Sequence, residues 1–197
     1  MRLIQTEEDY YYKSIPKIDF SSPVYVDDFL PIDEFETISN YVTNSNKVAS
    51  FPYFPRNHVA DPKEIVEETD YWNWYGTHIL YDEDIEQSDM FPMFYESFIK
   101  KFKKMGIISA LIRIKANFYP WTENIKQHGF HTDFPKMKSH YGALFSINTC
   151  DGYTEFLDGT KIDSVANRMM FFNPSVPHRS TTTTTDWGRF NINFNFL

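Results

Sequence analysis

The chain of 197 residues has a single cysteine, Cys150, and therefore cannot form an intrachain disulfide. One thiol also excludes metal clusters that several thiolates hold together. No segment approaches the roughly 18 consecutive apolar residues that a membrane-spanning helix needs. Residues 1–20 are charged and rich in tyrosine, and they lack the apolar run of a secretion signal. We therefore expect a reducing, cytoplasmic setting with no membrane partner.

Positive charge is also scarce, because 19 Lys and Arg stand against 27 Asp and Glu and the net charge is -8. Broad nucleic-acid surfaces neutralise many phosphates with Lys and Arg, so a nucleic-acid partner is not expected. The one lysine-rich run comprises Lys100, Lys101, Lys103 and Lys104. It closes a predicted helix, where the helix dipole favours cations. We interpret it as a helix end, with a local basic groove as the alternative.

The first half of the chain carries the helical patterns. Val24 to Leu30 is typical of a short strand, and the apolar spacing from Ile32 to about Thr43 predicts a helix after Pro31. A second helix is predicted from Ser88, as N-cap, to Gly106, as a stop. Its apolar stripe consists of Phe91, Phe94, Phe98, Phe102 and Met105. Such a stripe needs a large apolar partner, such as the face of a sheet.

The second half has the pattern of short strands separated by Gly, Pro, Asn and Asp. The predicted strands are Leu111 to Tyr119, Tyr141 to Asn148, Tyr153 to Leu157, Arg168 to Phe172 and Arg189 to Leu197. Strands at this spacing with no helix between them predict an antiparallel sandwich or barrel. We expect one domain that is mainly β with flanking helices. Residues 1–106 would contain the helices and a strand, and residues from about 107 to 197 would form a jelly-roll core.

The last predicted strand has two contrasting faces. Phe190, Ile192, Phe194 and Phe196 form an apolar face. The opposite face is polar and consists of Arg189, Asn191, Asn193 and Asn195. Either this strand is a sheet edge with one face in water, or its polar face points into a barrel that holds a polar ligand. With 18% aromatic residues in the chain, we favour the barrel.

His131-Thr-Asp133 is the first sign of a chemical site. On an extended segment, residues i and i+2 project to the same side, so an imidazole and a carboxylate can bind one cation. The His-x-Asp spacing alone is weak evidence for a metal site. It gains weight because His178 follows at a predicted strand end and Arg189 at the start of the next strand. Hydrogen bonding between His131 and Asp133 in an ordinary loop is the opposing interpretation. The order of all four residues favours the metal site.

Two histidines and one carboxylate occupy one face of an octahedral ion, an arrangement that suits Fe(II) and oxygen chemistry. The three open positions hold a 2-oxo acid as a chelate together with O2. The far carboxylate of the oxo acid then needs a planar, permanently charged partner. Arg189 meets that need, because a guanidinium binds a carboxylate through two parallel hydrogen bonds.

The chain resembles the prolyl-4-hydroxylase-like branch of the Fe(II)/2-oxoglutarate oxygenases, in particular compact members found in phages and marine bacteria. The resemblance covers most of the chain and is specific from about Ile112 onward. The matching segments are His131-Thr-Asp133, Phe145-Ser-Ile-Asn-Thr149, Asp151-Gly-Tyr-Thr-Glu-Phe156, Ser164-Val-Ala-Asn-Arg168, Pro177-His178-Arg179 and Arg189-Phe-Asn-Ile-Asn-Phe194. It implies a double-stranded β-helix, a cupin-like jelly roll.

The resemblance also implies site residues: Fe(II) at His131, Asp133 and His178, and the distal carboxylate of 2-oxoglutarate at Arg189. Tyr119 resembles the tyrosine that the family places on the strand before the motif, and Asn117 lies beside it on the same face. Two departures concern the co-substrate. Ser146 stands where a second tyrosine often contacts it, and the family's Gly-Gly-x-Thr turn here begins with Asp151.

Four other features are interpreted structurally. We expect His128 and His140 to be exposed loop residues, with substrate contact as the alternative. Arg179 is expected to be a surface or ion-pair residue, and Thr181–Thr185 to be a loop or strand edge. The aromatic residues at positions 72, 74 and 75 are expected to pack in the core rather than line a substrate cleft.

The resemblance implies a dioxygenase that hydroxylates an unactivated C–H bond with Fe(II), 2-oxoglutarate and O2. The substrate is expected to be a peptidyl, prolyl-type residue or a small metabolite, whereas a nucleobase would require a basic groove. A metal-binding jelly-roll module without turnover is a different class, and a zinc hydrolase is another. Arg189 discriminates against the binding module, which has no need for a buried arginine near the metal. A zinc hydrolase is not expected to respond to oxalylglycine-type mimics of 2-oxoglutarate.

Overall fold

The protein is described by a computed structural model that covers residues 7–15, 17–44, 50–57, 59, 72–137 and 139–197. The helices are α1 (Glu7–Ser14), α2 (Ile32–Val42), α3 (Phe91–Phe94) and α4 (Lys100–Met105), and a π-helical turn (Tyr95–Ile99) joins the last two. None of the helices in these ranges is long and apolar enough to cross a membrane.

Eleven strands are found in the described residues. They are β1 (Val24–Val26), β2 (Phe54–Asn57), β3 (Trp74–Asp82), β4 (Ile85–Glu86), β5 (Leu111–Pro120), β6 (Tyr141–Ser146), β7 (Tyr153–Phe156), β8 (Lys161–Asp163), β9 (Arg168–Phe172), β10 (His178–Ser180) and β11 (Gly188–Phe196). The large sheet has the order β1-β9-β6-β11-β5-β3-β2, with β4 on β3. The small sheet has the order β10-β7-β8.

A further segment, outside the named strands, extends the small sheet beside β10. Isolated bridges pair Gln127 with Thr181 and His131 with His178. The chain between β5 and β6 therefore runs along β10 without forming a regular ladder. The two sheets face each other as in a jelly roll, and this confirms the predicted fold class.

The helices cover one face of the large sheet. Phe94, Phe98 and Phe102 are completely buried, and the ring of Phe98 lies 4.9 Å from that of Phe194 between centroids. The apolar face of β11 thus receives the helical stripe, as its spacing predicted. A second, smaller apolar cluster lies between the two sheets and consists of Leu144, Phe156, Met170 and Phe172.

The strand β11 lies between β5 and β6, with both of its faces buried along its whole length. The first of the two interpretations, a sheet edge with a wet face, is therefore wrong. The polar face of Arg189, Asn191, Asn193 and Asn195 points into the barrel instead. Four buried polar side chains in one row need polar partners, and those partners locate the site.

Some boundaries differ from the predicted ones. The helix predicted from Ser88 begins at Phe91, because Ser88 Oγ accepts a hydrogen bond from the Met90 amide (3.2 Å) and closes a turn before it. The strand β1 ends at Val26. The strand β3 was not predicted, and with β1, β2 and β4 it brings the first half of the chain into the large sheet.

The lysine-rich run does not form one basic surface. Lys101 is buried, and its Nζ donates to both carboxylate oxygens of Glu34, at 2.8 and 3.0 Å. Lys100 forms an exposed ion pair with Glu96 one turn earlier. These two lysines therefore form ion pairs at the end of the helix, which agrees with the interpretation of the run as a helix end.

Candidate metal centre

His131 and His178 are held face to face by the backbone. Each residue's amide donates to the other's carbonyl at 2.9 Å, so the two residues form a narrow antiparallel bridge. Their rings lie 4.7 Å apart between centroids. The Nδ1–H of His178 donates to the carbonyl of Val176 (2.9 Å), which leaves Nε2 free to bind a metal.

Asp133 completes the cluster. One ligand atom from each of His131, Asp133 and His178 lies within 4.8 Å of the others. Asn195 Nδ2 donates to Asp133 Oδ2 (3.0 Å), and Arg113 Nη2 lies 3.4 Å from Oδ1. These two contacts fix the carboxylate beside the histidines, which is the role that surrounding hydrogen bonds play around metal ligands.

The charges of the cluster suit a cation. Burial, reinforced by His178, lowers the pKa of His131 to about 4, so the ring is neutral at neutral pH. Burial alone would raise the pKa of Asp133, but Arg113 and His178, helped by Lys115, hold it well below the usual value. A neutral imidazole and an ionised carboxylate are the forms that bind metal ions.

Arg189 is a buried cation behind the cluster. It is 1% exposed, its Nη1 donates to the Tyr153 carbonyl (2.8 Å), and its Nη2 donates to Thr154 Oγ1 (2.9 Å). Its Nε has no partner among the described residues, and none of their carboxylates forms an ion pair with it. A buried charge without a counter-ion is costly, so the site favours an anionic ligand.

Gly152 makes room for this arginine. A Cβ atom at position 152 would lie 2.8 Å from Arg189 Cδ and 2.8 Å from the Thr182 carbonyl oxygen. The turn that departs from the family's pattern at Asp151 therefore keeps the glycine that the guanidinium stem requires. Thr154, at the end of the same turn, supplies the hydroxyl that orients the guanidinium.

Aromatic rings enclose the same end of the barrel. The Tyr119 ring centroid lies 5.6 Å from Arg189 Cζ, and its ring stacks on that of Tyr75 at 5.9 Å. Burial raises the pKa of Tyr119 to about 12, so the hydroxyl stays protonated. His128 packs between Tyr119 and Trp72, at 5.4 and 5.5 Å between ring centroids.

The cluster opens into a narrow polar cavity of about 40 Å³. The lining residues include His131, Asp133 and His178 and, from β5 and β11, Lys115, Asn117, Tyr119, Asn191 and Asn193. This volume is on the order of one water molecule, so it fits an ion but not a five-carbon diacid. Binding of the larger ligand therefore requires lining side chains to move.

The predicted site residues occupy the same end of the barrel. Asn117 is buried and donates from Nδ2 to Asn191 Oδ1 (2.9 Å), beside Tyr119 on the same face of β5. Ser146 is buried on β6 directly opposite Asn191. Asn117 and Tyr119 thus line the cavity of the metal cluster, whereas Ser146 is placed only beside Asn191, and the contacts of all three with a co-substrate stay a prediction.

Two predictions about histidines are wrong. His128 and His140 are 1% and 2% exposed, and both were expected on exposed loops. His128 Nδ1 lies 2.9 Å from Ser180 Oγ and its Nε2 has no partner among the described residues. Burial lowers the pKa of His128 to about 3, so it is neutral. Sequence alone gave no signal for this, because histidine is intermediate between surface and core.

Two other interpretations are confirmed. Arg179 pairs with Glu155 through Nε (2.9 Å) and Nη2 (2.7 Å). The threonine run forms a loop around Asp151, whose carboxylate accepts hydrogen bonds from the hydroxyls of residues 183–185 and from the Thr184 amide. The prediction that the aromatic residues at positions 72, 74 and 75 pack in the core is wrong, because all three are half-buried and lie outside the two apolar core clusters.

Comparisons of the sequence with protein families and with curated proteins find no match. Solved structures do match. A prolyl hydroxylase from Trichoplax adhaerens, in complex with a hypoxia inducible factor peptide fragment, is similar with a TM-score of 0.63 and 12% identity, over 96% of this chain and 90% of that one.

Two bacterial structures are similar as well. A 2OG-Fe(II) oxygenase family oxidoreductase from Burkholderia pseudomallei gives a TM-score of 0.60 at 8% identity, over 100% of this chain and 93% of that one. HygX from Streptomyces hygroscopicus, solved with nickel and 2-oxoglutarate bound, gives 0.57 at 9% identity, over 98% and 87%. The chain therefore has the fold of these oxygenases along nearly its whole length, as the resemblance implied.

Proposed function

We propose that this protein is an Fe(II)- and 2-oxoglutarate-dependent dioxygenase that hydroxylates an unactivated C–H bond. One observation carries the proposal: a two-histidine, one-carboxylate cluster shares a barrel end with a buried arginine that has no carboxylate partner among the described residues. The cluster alone would suit several metalloproteins. The arginine adds the need for an anionic group near the metal, which a passive metal-binding module does not have and which the distal carboxylate of 2-oxoglutarate supplies.

The donor set fits iron. His131, Asp133 and His178 would hold the ion on one face and leave the other positions open, the pattern of non-heme Fe(II) oxygenases. Asn195, Arg113 and the Val176 carbonyl orient these ligands through the contacts described above. HygX, which has this fold, binds nickel and 2-oxoglutarate in its solved structure, and this supports the same pair of ligands here.

The co-substrate would lie between the metal cluster and Arg189. The guanidinium would bind the distal carboxylate of 2-oxoglutarate, with the Thr154 hydroxyl holding the guanidinium in place. We propose that Tyr119, Asn117 and Ser146 line the same subsite. Because the cavity is narrow, entry of the diacid displaces side chains around it.

When bound, iron supplies the activation of O2: 2-oxoglutarate, O2 and the substrate R–H become succinate, CO2 and R–OH. The chain's own residues supply binding, orientation and exclusion of water. Three residues of the smaller apolar cluster, Leu144, Met170 and Phe172, form a wall of the cavity on one side. Such a wall keeps bulk water from the metal-facing side of the substrate, which limits unproductive turnover.

We propose a peptidyl residue or a small metabolite as substrate. The Trichoplax adhaerens relative in fold is a prolyl hydroxylase whose structure contains a peptide, which supports the peptide alternative. The net charge of -8 disfavours a nucleobase in a nucleic-acid strand. Cytoplasmic activity remains our expectation from the single buried, free cysteine.

The proposal is tested by succinate release from 2-oxoglutarate under air, with and without Fe(II). We expect slow, iron-dependent release even without substrate, and its loss in His131→Ala and Asp133→Ala. Asp163→Ala, at an exposed carboxylate on β8, serves as the matched control and is expected to keep full activity. If His131→Ala kept both iron binding and turnover, the assignment would be wrong.

A further inference from the structure

Lys115 is a cation that faces the metal cavity without a carboxylate partner. It lies on the polar face of β5, two residues from Asn117, and lines the cavity together with His131, Asp133 and His178. Among the described residues, no carboxylate comes within the 4.0 Å of an ion pair with its Nζ. The Nζ lies instead 5.5 Å from the ring centroid of Tyr75.

The charges around Lys115 leave a surplus of positive charge. Arg179 also lines the cavity, but Glu155 pairs with it. The other cations of the barrel interior among the described residues are Arg113 and Arg189, and the carboxylates that act on Lys115 are Asp133 and Asp82. If the proposed function holds, the charges of Fe(II) and of the 2-oxoglutarate dianion cancel. Three cations then face two carboxylates, and one positive charge is uncompensated in a partly buried site.

A hydrogen-bonding residue beside Lys115 is also unsatisfied. Asn193 of β11 pairs directly with Lys115 across the two strands, and it is 7% exposed. Its Oδ1 has no partner among the described residues. A buried acceptor without a donor is costly, so Asn193 Oδ1 favours a ligand that carries an N–H donor, such as the ammonium group of an amino acid, whereas Lys115 favours an acceptor. Arg189, with its contacts to Tyr153 and Thr154, lies nearer the other end of the polar face of β11.

A wider cleft lies along the neighbouring strand β3. Ile79 and Thr77 of β3 lie directly opposite Lys115 and Asn117. Both also line a cleft of about 710 Å³ together with Phe54 of the edge strand β2. The strand next to Lys115 therefore borders a space large enough for a small molecule, although Lys115 itself lines the metal cavity.

We propose that Lys115 binds a carboxylate of the primary substrate, and that this substrate is a small carboxylic acid such as a free amino acid. The inference rests on the proposed function and narrows its substrate class. A carboxylate at Lys115 compensates the surplus charge and places the rest of the molecule at the metal cavity. An internal prolyl residue of a peptide has no carboxylate to offer at this position.

The test is calorimetric titration of protein loaded with Zn(II) and N-oxalylglycine, an unreactive mimic of 2-oxoglutarate. The probes are the twenty free amino acids and the corresponding carboxamides, with an internal-proline peptide blocked at both ends. We expect at least one free amino acid to bind, and its carboxamide to bind roughly 10- to 100-fold more weakly, because a charge-assisted hydrogen bond is lost. The same amino acid should stimulate succinate release by the Fe(II) protein.

Substitutions at Lys115 and at a control lysine distinguish a loss of substrate affinity from a general loss of ligand binding. Lys115→Met should weaken binding of the selected amino acid by roughly the same 10- to 100-fold factor and leave the affinity for N-oxalylglycine within about threefold of the unsubstituted protein. Lys115→Arg should restore most of the affinity because it keeps the charge. Lys126→Met, at an exposed lysine, is the control and should change neither affinity.

Three results would overturn the inference. Carboxamides or the blocked peptide would bind as well as the acids, or no free amino acid would bind to the loaded protein, or Lys115→Met would weaken N-oxalylglycine instead. The last result would assign Lys115 to the co-substrate. Failure of Zn(II) and N-oxalylglycine to bind at all is a separate outcome, which would overturn the proposed function and this inference with it.

Discussion

Arg189→Met should remove binding of 2-oxoglutarate without unfolding the protein. The methionine keeps an unbranched apolar stem against Gly152 and Tyr119 but removes the guanidinium. Arg189 has no carboxylate partner among the described residues, so the substitution breaks no ion pair in the ligand-free protein. The affinity for 2-oxoglutarate should therefore fall, whereas the free energy of unfolding should change little.

The loss of affinity is set by the salt bridge to the distal carboxylate. Removing one partner of a buried, hydrogen-bonded charge pair costs about 2–5 kcal/mol, which corresponds to roughly 30- to 4,000-fold in the dissociation constant. Arg189→Lys keeps the charge but loses the planar pair of donors. We expect it to fall between Arg189→Met and the unsubstituted protein.

The stability change should be small because two effects oppose each other. The substitution removes the hydrogen bonds to the Tyr153 carbonyl and to Thr154 Oγ1, each worth about 1.5–3 kcal/mol for a charged donor. It also removes the desolvation cost of a cation that is 1% exposed, which amounts to several kcal/mol. We expect the free energy of unfolding to stay within about 2 kcal/mol of its original value.

Two measurements check this prediction. The affinity is followed by the charge-transfer absorption that 2-oxoglutarate forms with bound Fe(II) in the absence of O2, and stability by urea denaturation of the metal-free protein. An Arg189→Met variant that binds 2-oxoglutarate within about threefold of the unsubstituted protein would refute the role of the arginine. A variant that no longer folds would refute the view that its charge is uncompensated.

Three further substitutions probe the surroundings of the site. Gly152→Ala should cost about 1–3 kcal/mol of stability and weaken 2-oxoglutarate binding, because the added Cβ would lie 2.8 Å from Arg189 Cδ. Asn195→Leu should lower metal affinity about 10- to 100-fold, because it removes the donor that orients Asp133. Asp151→Asn should cost about 1–2 kcal/mol above pH 4 and less at pH 2. Burial raises the pKa of Asp151, but the threonine hydroxyls override burial and hold it at about 2, so its stabilising contribution is lost as the pH falls from about 4 to about 2.

These predictions have separate refutations. Unchanged urea midpoints for Gly152→Ala would mean that the turn relaxes freely around the stem of Arg189. Equal metal affinity by competition with a chelator would remove Asn195 from the support of the site. For Asp151→Asn, a stability loss that is constant from pH 2 to pH 7 would show that the ionised carboxylate is not what the threonine loop binds.

The alternation of side chains along extended segments made part of the site predictable from the sequence. The apolar and polar faces of β11 could be separated because side chains alternate along a strand, and the same rule placed Asn117 and Tyr119 on one face of β5. His131 and Asp133 share a side for the same reason. The clustering of these two with His178 comes from the backbone bridge between His131 and His178, which none of the predicted strands contained.

The strand β3 could not be predicted in the same way. Residues 76, 77 and 78 are all buried, so both faces are covered and the polar and apolar residues do not alternate. His128 was misplaced because its burial depends on Trp72 and Tyr119, which are distant in sequence and meet only in the fold. Such tertiary contacts override the local preference of a polar side chain.

Two features of the site also depended on three-dimensional contacts. Sequence could assign Arg189 a carboxylate ligand, but not the Tyr153 and Thr154 groups that orient its guanidinium. Alternation puts Lys115 on the same face of β5 as Asn117, but only the fold shows that its Nζ has no described carboxylate partner. Whether a buried charge is compensated depends on every neighbour, so it is a property of the fold rather than of a motif.

The most direct test of the proposed function is a crystal structure of the protein with Fe(II) and 2-oxoglutarate, grown without O2. We predict one ion bound by His131, Asp133 and His178, a chelating oxo acid, and its distal carboxylate paired with Arg189. An ion bound by other residues, or a 2-oxoglutarate whose distal carboxylate does not contact Arg189, would contradict the account.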